Sequence, residues 1–368
     1  MVEATFFTHN LGVGGAQRVL VNLSTELAKR GREIEIVVHT DKGKLASEVH
    51  DDVNIYYTNT PNFVPTIRSL RSYLRDRHPD VLLSTVNIAN LAAIIAGKTT
   101  NTDTHHVVRM ANTPSKKAQD YENKQIRHKV VPYMMRGLYP LSDEILAVSA
   151  GLKDDLVQSY GIDPSKIRVI YNPTVTQAVF EKAEQPVDHR WLDDPSQDVI
   201  LGVGSLIKQK DFETLIKSFC RVQQRIDAKL LILGKGNQRD ALGRLVQDLG
   251  LTSQVDLYGA VANPYSYMAN ADLFVLSSRW EGCPNVLIEA MACDTPVVST
   301  DCPNGPREIL RNGEYGPLVP MGDSNTMATA IVDQLENTSQ FSNVKDRAMD
   351  FHVNVIADEY EKLLFGDA

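Results

Sequence analysis

Short apolar runs recur along this chain, each followed by a helix-length stretch, and that alternation constrains the fold more than any other feature. Ala4–Thr8, Glu33–Val38, Val53–Tyr57, Val81–Thr85 and His106–Met110 read as strands, with helices over Ala16–Arg30, Thr66–Arg77 and Ala89–Gly97 between them. Glu144–Val148 and Ile167–Ile170 continue the series. Near-continuous apolar strands alternating with helices predict a parallel sheet covered on both faces. The rhythm fails between Asn172 and Asp198, where Pro173, Pro186 and Pro195 punctuate a polar stretch. It restarts at Val199–Gly204 and runs on through Lys229–Leu233, Gln254–Tyr258, Asp272–Leu276 and Pro296–Ser299. The expectation is an α/β protein of two Rossmann-like, doubly wound units: residues 1–172, a linker at 173–198, a second unit at 199–350, and a terminal helical segment at 351–368.

One strand leads into an unusual turn. After Leu276 come Ser277, Ser278, Arg279, Trp280, Glu281, Gly282, Cys283, Pro284, Asn285 and Val286, then helix formers up to Asp294. Gly282 allows a tight turn, and Pro284 suits the first helical position, where no N–H is lost. A helix start at a strand's carboxyl end is a seat for an anion. Two carboxylates frame it, Glu281 before the helix and Glu289 within it. Carboxylates repel phosphate and accept hydrogen bonds from hydroxyls, so the pattern describes a sugar nucleotide. A solvated Glu289 and a Glu281 held only by the helix dipole would give the same spacing.

Composition narrows the field. Hydrophobic residues at 43% and charged residues at 23% fit a globular protein, and no run approaches the ~20 apolar residues of a membrane span. No signal-peptide pattern is visible at the N-terminus. Cys220, Cys283, Cys293 and Cys302 form no C-x-x-C pair and no His/Cys cluster, so they are expected to be reduced thiols in a cytoplasmic protein. Residues 1–172 carry 21 Lys and Arg against 18 Asp and Glu, while the rest carries 17 against 28. The net charge of −8 excludes nucleic acid as the expected partner and leaves the first half able to touch an anionic membrane surface. No D-x-D follows a strand persuasively, so neither metal nor cofactor is expected.

Glu281 to Glu289 resembles the E-x7-E motif of the family 4 retaining glycosyltransferases of GT-B fold. Nearly the whole chain shares the likeness: Gly14-Gly15-Ala16-Gln17-Arg18, Val148-Ser149-Ala150, Tyr171-Asn172-Pro173, Val203-Gly204-Ser205-Leu206 with Lys210, Gly234-Lys235-Gly236, and Gly305-Pro306-Arg307-Glu308-Ile309-Leu310. The resemblance implies two units facing a central cleft, the first binding the acceptor and the second the nucleotide sugar, with the last helix crossing back to the first. It implies that Glu281 and Lys210 are catalytic. The sugar donor would meet Gly15, Ser205, Lys210, Glu281, Gly282, Cys283, Pro284, Asn285, Val286 and Glu289. Its base would lie near Gly259, Val261 and Asn263. Glu281 would hold hydroxyls of the transferred sugar, Glu289 the ribose, and Lys210 the leaving diphosphate. Three departures stand out: Ser205 where the family often has Arg, Ala111 where many relatives have His, and Asp294 where Gly is common.

Between the two halves of the first unit, Lys116, Lys117, Lys124 and Arg127 share one arc of a helical wheel, beside an apolar set of Val130, Val131, Tyr133, Met134, Met135 and Leu138. Core packing with a wet basic face explains this, as does contact with lipid or a lipid-linked acceptor. Asn112 is a further candidate for substrate contact. The expected activity is transfer of a hexose or N-acetylhexosamine from a nucleotide sugar, a UDP-sugar foremost, to a glycan or lipid-linked oligosaccharide in surface-polysaccharide or lipopolysaccharide assembly, by a peripheral protein at the inner face of the plasma membrane. Two other readings remain: a nucleotide-sugar binder without turnover, and a nicotinamide-dependent dehydrogenase using Gly12-Val13-Gly14-Gly15 and Asp41.

Overall fold

The computed structural model describes residues 2–12, 14–40, 43–60, 62–115, 126–337, 341 and 343–366. The chain divides into two compact units, one made of Met1–Thr174 with Val353–Ala368, the other of Val175–His352.

In the first unit β1 (Ala4–Thr8), β2 (Ile34–Val38), β3 (Asn54–Tyr57), β4 (Val81–Thr85), β5 (His105–Met110), β6 (Glu144–Ala147) and β7 (Ile167–Val169) form one seven-stranded sheet in the order β3-β2-β1-β4-β5-β6-β7. Every pairing is parallel. Strands β1, β2 and β4 are buried throughout, as strands covered on both faces must be. The helices Phe63–Arg77 and Asn87–Lys98 pack on it through Leu70, Tyr73, Leu74, Ala89, Ala92, Ala93 and Ala96. The alanines let the second of these helices lie close.

The second unit repeats the design with β8 (Asp198–Val203), β9 (Ala228–Leu233), β10 (Val255–Gly259), β11 (Leu273–Leu276), β12 (Val297–Thr300) and β13 (Leu318–Val319), ordered β10-β9-β8-β11-β12-β13 and again all parallel. Its core joins Ile200, Leu230, Ile232 and Val275 to Leu215, Phe219 and Ile331 of the covering helices.

Each strand lies within about two residues of its expected position, except the two-residue β13, too short to carry a period. The segment 173–198 is not an irregular linker. Gln177–Ala183 is helical between Pro173 and Pro186, and it packs against the helices Pro264–Ala269 and Asn285–Ala292 of the second unit. The prolines bracket that helix rather than interrupting it.

The terminal helix, Val353–Phe365, packs on the helix Gly15–Lys29 of the first unit. Arg30 reaches Asp358 at 2.6 Å and Glu361 at 2.7 Å, and Arg32 reaches Glu361 at 3.0 Å. Deeper in, the wholly buried Arg109 donates to the Tyr360 hydroxyl at 3.1 Å, to Thr85 Oγ1 at 3.1 Å and to Asn172 Oδ1 at 2.5 Å. Among the described residues no helix is long and apolar enough to cross a membrane.

Candidate functional site

Both sheets reverse their strand order beside a first strand, β1 against β4 and β8 against β11. Ligands of doubly wound sheets sit outside the carboxyl ends of the strands at such a switch point. In the second unit, the loops after β8 and β11 therefore occupy the favoured position. They are the loops that hold Lys210 and Glu281.

The two loops are stitched together. Arg279 N–H donates to the Gln209 carbonyl at 2.8 Å, and Gln209 Nε2 to the Trp280 carbonyl at 2.8 Å. Ser277 Oγ donates to the Lys210 carbonyl at 2.7 Å. Arg279 Nε reaches Asp211 Oδ2 at 2.9 Å, and Asp211 is buried in a left-handed conformation, φ +47°. At the centre Lys210 Nζ donates to Glu281 Oε1 at 2.5 Å, and Ser278 Oγ donates to the same oxygen at 2.6 Å. The Lys210 side chain is 17% exposed and that of Glu281 9%, so water screens their attraction weakly.

A third loop closes the floor. Glu281 N–H donates to the Pro303 carbonyl at 3.1 Å. Gly305 has φ +102°, and a Cβ there would lie 2.5 Å from Pro284 Cδ. Only glycine lets this loop come so near the helix start. Gly234 is similarly crowded: its Cβ would lie 1.8 Å from the Gly204 carbonyl oxygen.

The helix begins at Asn285, with Pro284 as its cap residue rather than its first helical residue. Pro284 has φ −75° and ψ 90°, so its extended ψ sets it outside the helix. Gly282, Cys283 and Pro284 are buried, while Asn285, Val286 and Glu289 are half-buried. Glu289 accepts a long hydrogen bond from the Tyr265 hydroxyl, 3.4 Å. Ser205 is exposed after β8. Gly259 ends β10 at φ +114°, and Val261 is half-buried. Asn263 is engaged structurally. Its Oδ1 accepts from Tyr265 N–H at 3.1 Å, and its Nδ2 donates to the Lys182 carbonyl at 2.7 Å.

The structure thus brings Lys210, Glu281, Gly282, Cys283 and Pro284 into one set of loops. Sequence reasoning missed Ser278, the Asp211–Arg279 pair and Tyr265. Gly15 belongs to the first unit, exposed at the start of the helix Gly15–Lys29. Arg18, on the same helix, pairs with Glu48. Asn112 follows β5 and accepts from Thr113 N–H at 3.0 Å. Lys116, Lys117 and Lys124 lie outside the described residues, as do Asp41, Val13 and the side chain of Arg127. The helix Ile126–Leu138 buries Met135 and exposes Tyr133 by 75% and Val130 by 46%.

The cysteines are all free thiols. Burial and then the Glu281 charge push the Cys302 thiol well up, and burial pushes Cys293 up to about 12, so both stay protonated. Among the described residues no group of three or more His, Cys, Asp and Glu is arranged to hold a metal ion.

Comparison with known proteins gives this geometry a family. Residues 13–178 match the sequence pattern of Glycosyltransferase Family 4, and residues 197–337 that of the Glycosyl transferases group 1. A Campylobacter jejuni protein is 31% identical over 380 residues, spanning 100% of both chains. It is named N-acetylgalactosamine-N,N'-diacetylbacillosaminyl-diphospho-undecaprenol 4-alpha-N-acetylgalactosaminyltransferase. The chain belongs to glycosyltransferase family 4. A second relative of this family 4 glycosyltransferase is the lipopolysaccharide core biosynthesis glycosyltransferase LpsE of Rhizobium meliloti, 35% identical over 205 residues, 54% of this chain and 58% of LpsE. Among solved structures, Anabaena HepE in complex with UDP-glucose superposes with a TM-score of 0.79 at 19% identity, covering 98% of each chain. The sucrose-phosphate synthase of Thermosynechococcus elongatus gives 0.81 at 17%, covering 98% and 97%. The fold of this family 4 glycosyltransferase is GT-B, and its family sets the dehydrogenase reading aside.

Proposed function

We propose that this family 4 glycosyltransferase moves a hexose or N-acetylhexosamine from a UDP-sugar to a hydroxyl of a glycan or lipid-linked oligosaccharide, in the assembly of a surface polysaccharide such as lipopolysaccharide. The configuration at the anomeric carbon is retained and no metal ion is required. The Campylobacter relative, alike along its whole length and named for transfer to a diphospho-undecaprenol-linked sugar, supports the acceptor class.

The observation that carries the reading is the Lys210–Glu281 contact of 2.5 Å at the switch point of the second sheet. In the proposed reaction Glu281 accepts hydrogen bonds from hydroxyls of the transferred sugar. Lys210 turns its ammonium to the diphosphate, whose charge grows as the bond from anomeric carbon to phosphate oxygen breaks. Stabilising charge that develops in the transition state is commonly the largest catalytic term. The acceptor oxygen attacks the same face of the anomeric carbon, and its proton passes to a diphosphate oxygen. Glu289, beside Tyr265, binds ribose hydroxyls. Ser205 and the start of the helix Asn285–Ala292 add hydroxyl and backbone hydrogen bonds to the diphosphate.

The test is a transfer assay with UDP-sugars and a lipid-linked oligosaccharide, run with EDTA and followed by NMR of the new linkage. An α-linked product from an α-linked UDP-sugar is expected, at undiminished rate. Inversion, or a rate abolished by EDTA and restored by Mg²⁺ or Mn²⁺, overturns the corresponding part. Peripheral attachment at an anionic membrane is part of the same proposal. Liposome co-sedimentation of the wild type and of a variant with Lys116, Lys117, Lys124 and Arg127 changed to Ala tests it.

A further inference from the structure

The switch point of the first sheet holds a polar arrangement of another kind. His9 stands exposed directly after β1, and His39 directly after β2. Their Nδ1 atoms are 2.8 Å apart, and the rings meet edge to face with centroids 4.7 Å apart. His39 is 3% exposed, and its Nε2 has no hydrogen-bond partner among the described residues. The Thr8 and Ser84 hydroxyls, at the ends of the neighbouring β1 and β4, are also buried without a partner there. Val86, just past β4, is held at φ +76°. A β-branched residue adopts that conformation only where its surroundings impose it, and such strain gathers at ligand sites.

The imidazole pair has a definite polarity. A contact between two Nδ1 atoms needs a proton on one of them. If His9 carries it, neutral His39 must carry its own on Nε2, a buried N–H with no acceptor among the described residues. If His39 carries it on Nδ1, its Nε2 is a bare ring nitrogen, and the N–H of His9 moves to the exposed Nε2. An orphaned buried N–H is the rarer and costlier defect, so the second arrangement is preferred. Burial, and then the neighbouring His9, lower His39 to about 4, which keeps it neutral in this role. His9 is therefore presented at the carboxyl end of the first sheet as an oriented N–H donor.

We propose that His9 binds the acceptor substrate, donating from Nε2 to an uncharged carbohydrate oxygen, a hydroxyl or acetamido carbonyl, and that His39 is the positioning residue that sets its tautomer. This rests on the glycosyltransferase reading above. A single N–H donor fits a sugar oxygen, whereas a diphosphate is better met by the cation of the second unit.

Amide side chains separate the two nitrogens, because Gln mimics Nε2 of histidine and Asn mimics Nδ1. In transfer assays on the full chain, His9→Asn should raise the acceptor KM about tenfold, the worth of one hydrogen bond, while His9→Gln stays within about threefold of wild type. For His39 the order reverses: His39→Asn keeps the bond to His9, and His39→Gln loses it. The UDP-sugar KM should not move in any of the four. Equal losses in His9→Asn and His9→Gln, or a change in UDP-sugar KM alone, overturn the proposal. Nitrogen-15 NMR of the ligand-free protein is an independent readout: the Nε2–H tautomer is expected for His9, and Nδ1–H overturns the assignment. A wild type that consumes no UDP-sugar would defeat the functional reading while the tautomer measurement still judged the histidine pair.

Discussion

The two sheet ends share a topology and differ in chemistry. In the second unit the loops at the switch point carry charge in opposed pairs, Lys210 with Glu281 and Arg279 with Asp211. In the first unit the same position carries, among the described residues, the His9–His39 pair and the Thr8 and Ser84 hydroxyls. The strands beneath are interchangeable in kind. What distinguishes the ends is a handful of loop residues, which is how one scaffold serves two ligands.

The sharpest way to break this contrast is to remove the cation. Lys210→Ala should lower kcat by ~10²–10³, as losses of transition-state charge stabilisation commonly do. Near-normal turnover would mean that another cation carries the role. Acid should separate the units next. His39 and His106, both in the first unit, are lowered from 6.5 to about 4, chiefly by burial. Their unfolded forms bind protons first, so the stability they confer is full above about pH 6.5. It is lost as the pH falls toward 4, on the order of 3 kcal/mol for each histidine. Hydrogen exchange between pH 6.5 and 4 should show the first unit losing protection before the second, and simultaneous loss would contradict this.

A smaller effect distinguishes the two carboxylates of the charged end. Glu289→Ala should weaken UDP binding about tenfold, the worth of a lost hydrogen bond or two. Glu281→Ala should impair transfer more than UDP affinity. Equal losses of UDP affinity, by calorimetry, would remove the distinction between ribose and sugar contacts. The smallest change expected is a gain. Asp294 sits at φ +65°, and Asp294→Gly should stabilise the protein by about 0.5 kcal/mol in urea denaturation, since glycine carries no left-handed penalty.

The strand–helix rhythm was legible because a strand buried on both faces must be apolar along its length. Glu281 and Lys210 were legible because each follows such a strand. Ser278, Asp211 and Arg279 were not. Asp211 and Arg279 are 68 positions apart, and no local pattern announces such a pairing. Arg109 defied the expectation for an inner strand, since its charge is buried among neutral partners supplied by Thr85, Asn172 and Tyr360. The histidine pair was hidden for the same reason. Two imidazoles 30 positions apart become one unit only when β1 and β2 lie side by side. The helix Gln177–Ala183 was obscured by prolines that read as a linker.

The terminal helix carries a consequence for how the protein is made. The first unit needs Val353–Phe365 to engage Arg30, Arg32 and Arg109, yet those residues are synthesised after all of the second. Leaving the ribosome, the second unit is a continuous stretch able to close as soon as it emerges. The first must wait, with its early strands in place and one helix missing. A released chain ending at His352 would therefore hold a complete second unit and an open first one. A premature stop at that point would injure the beginning of the protein more than the part beside the cut.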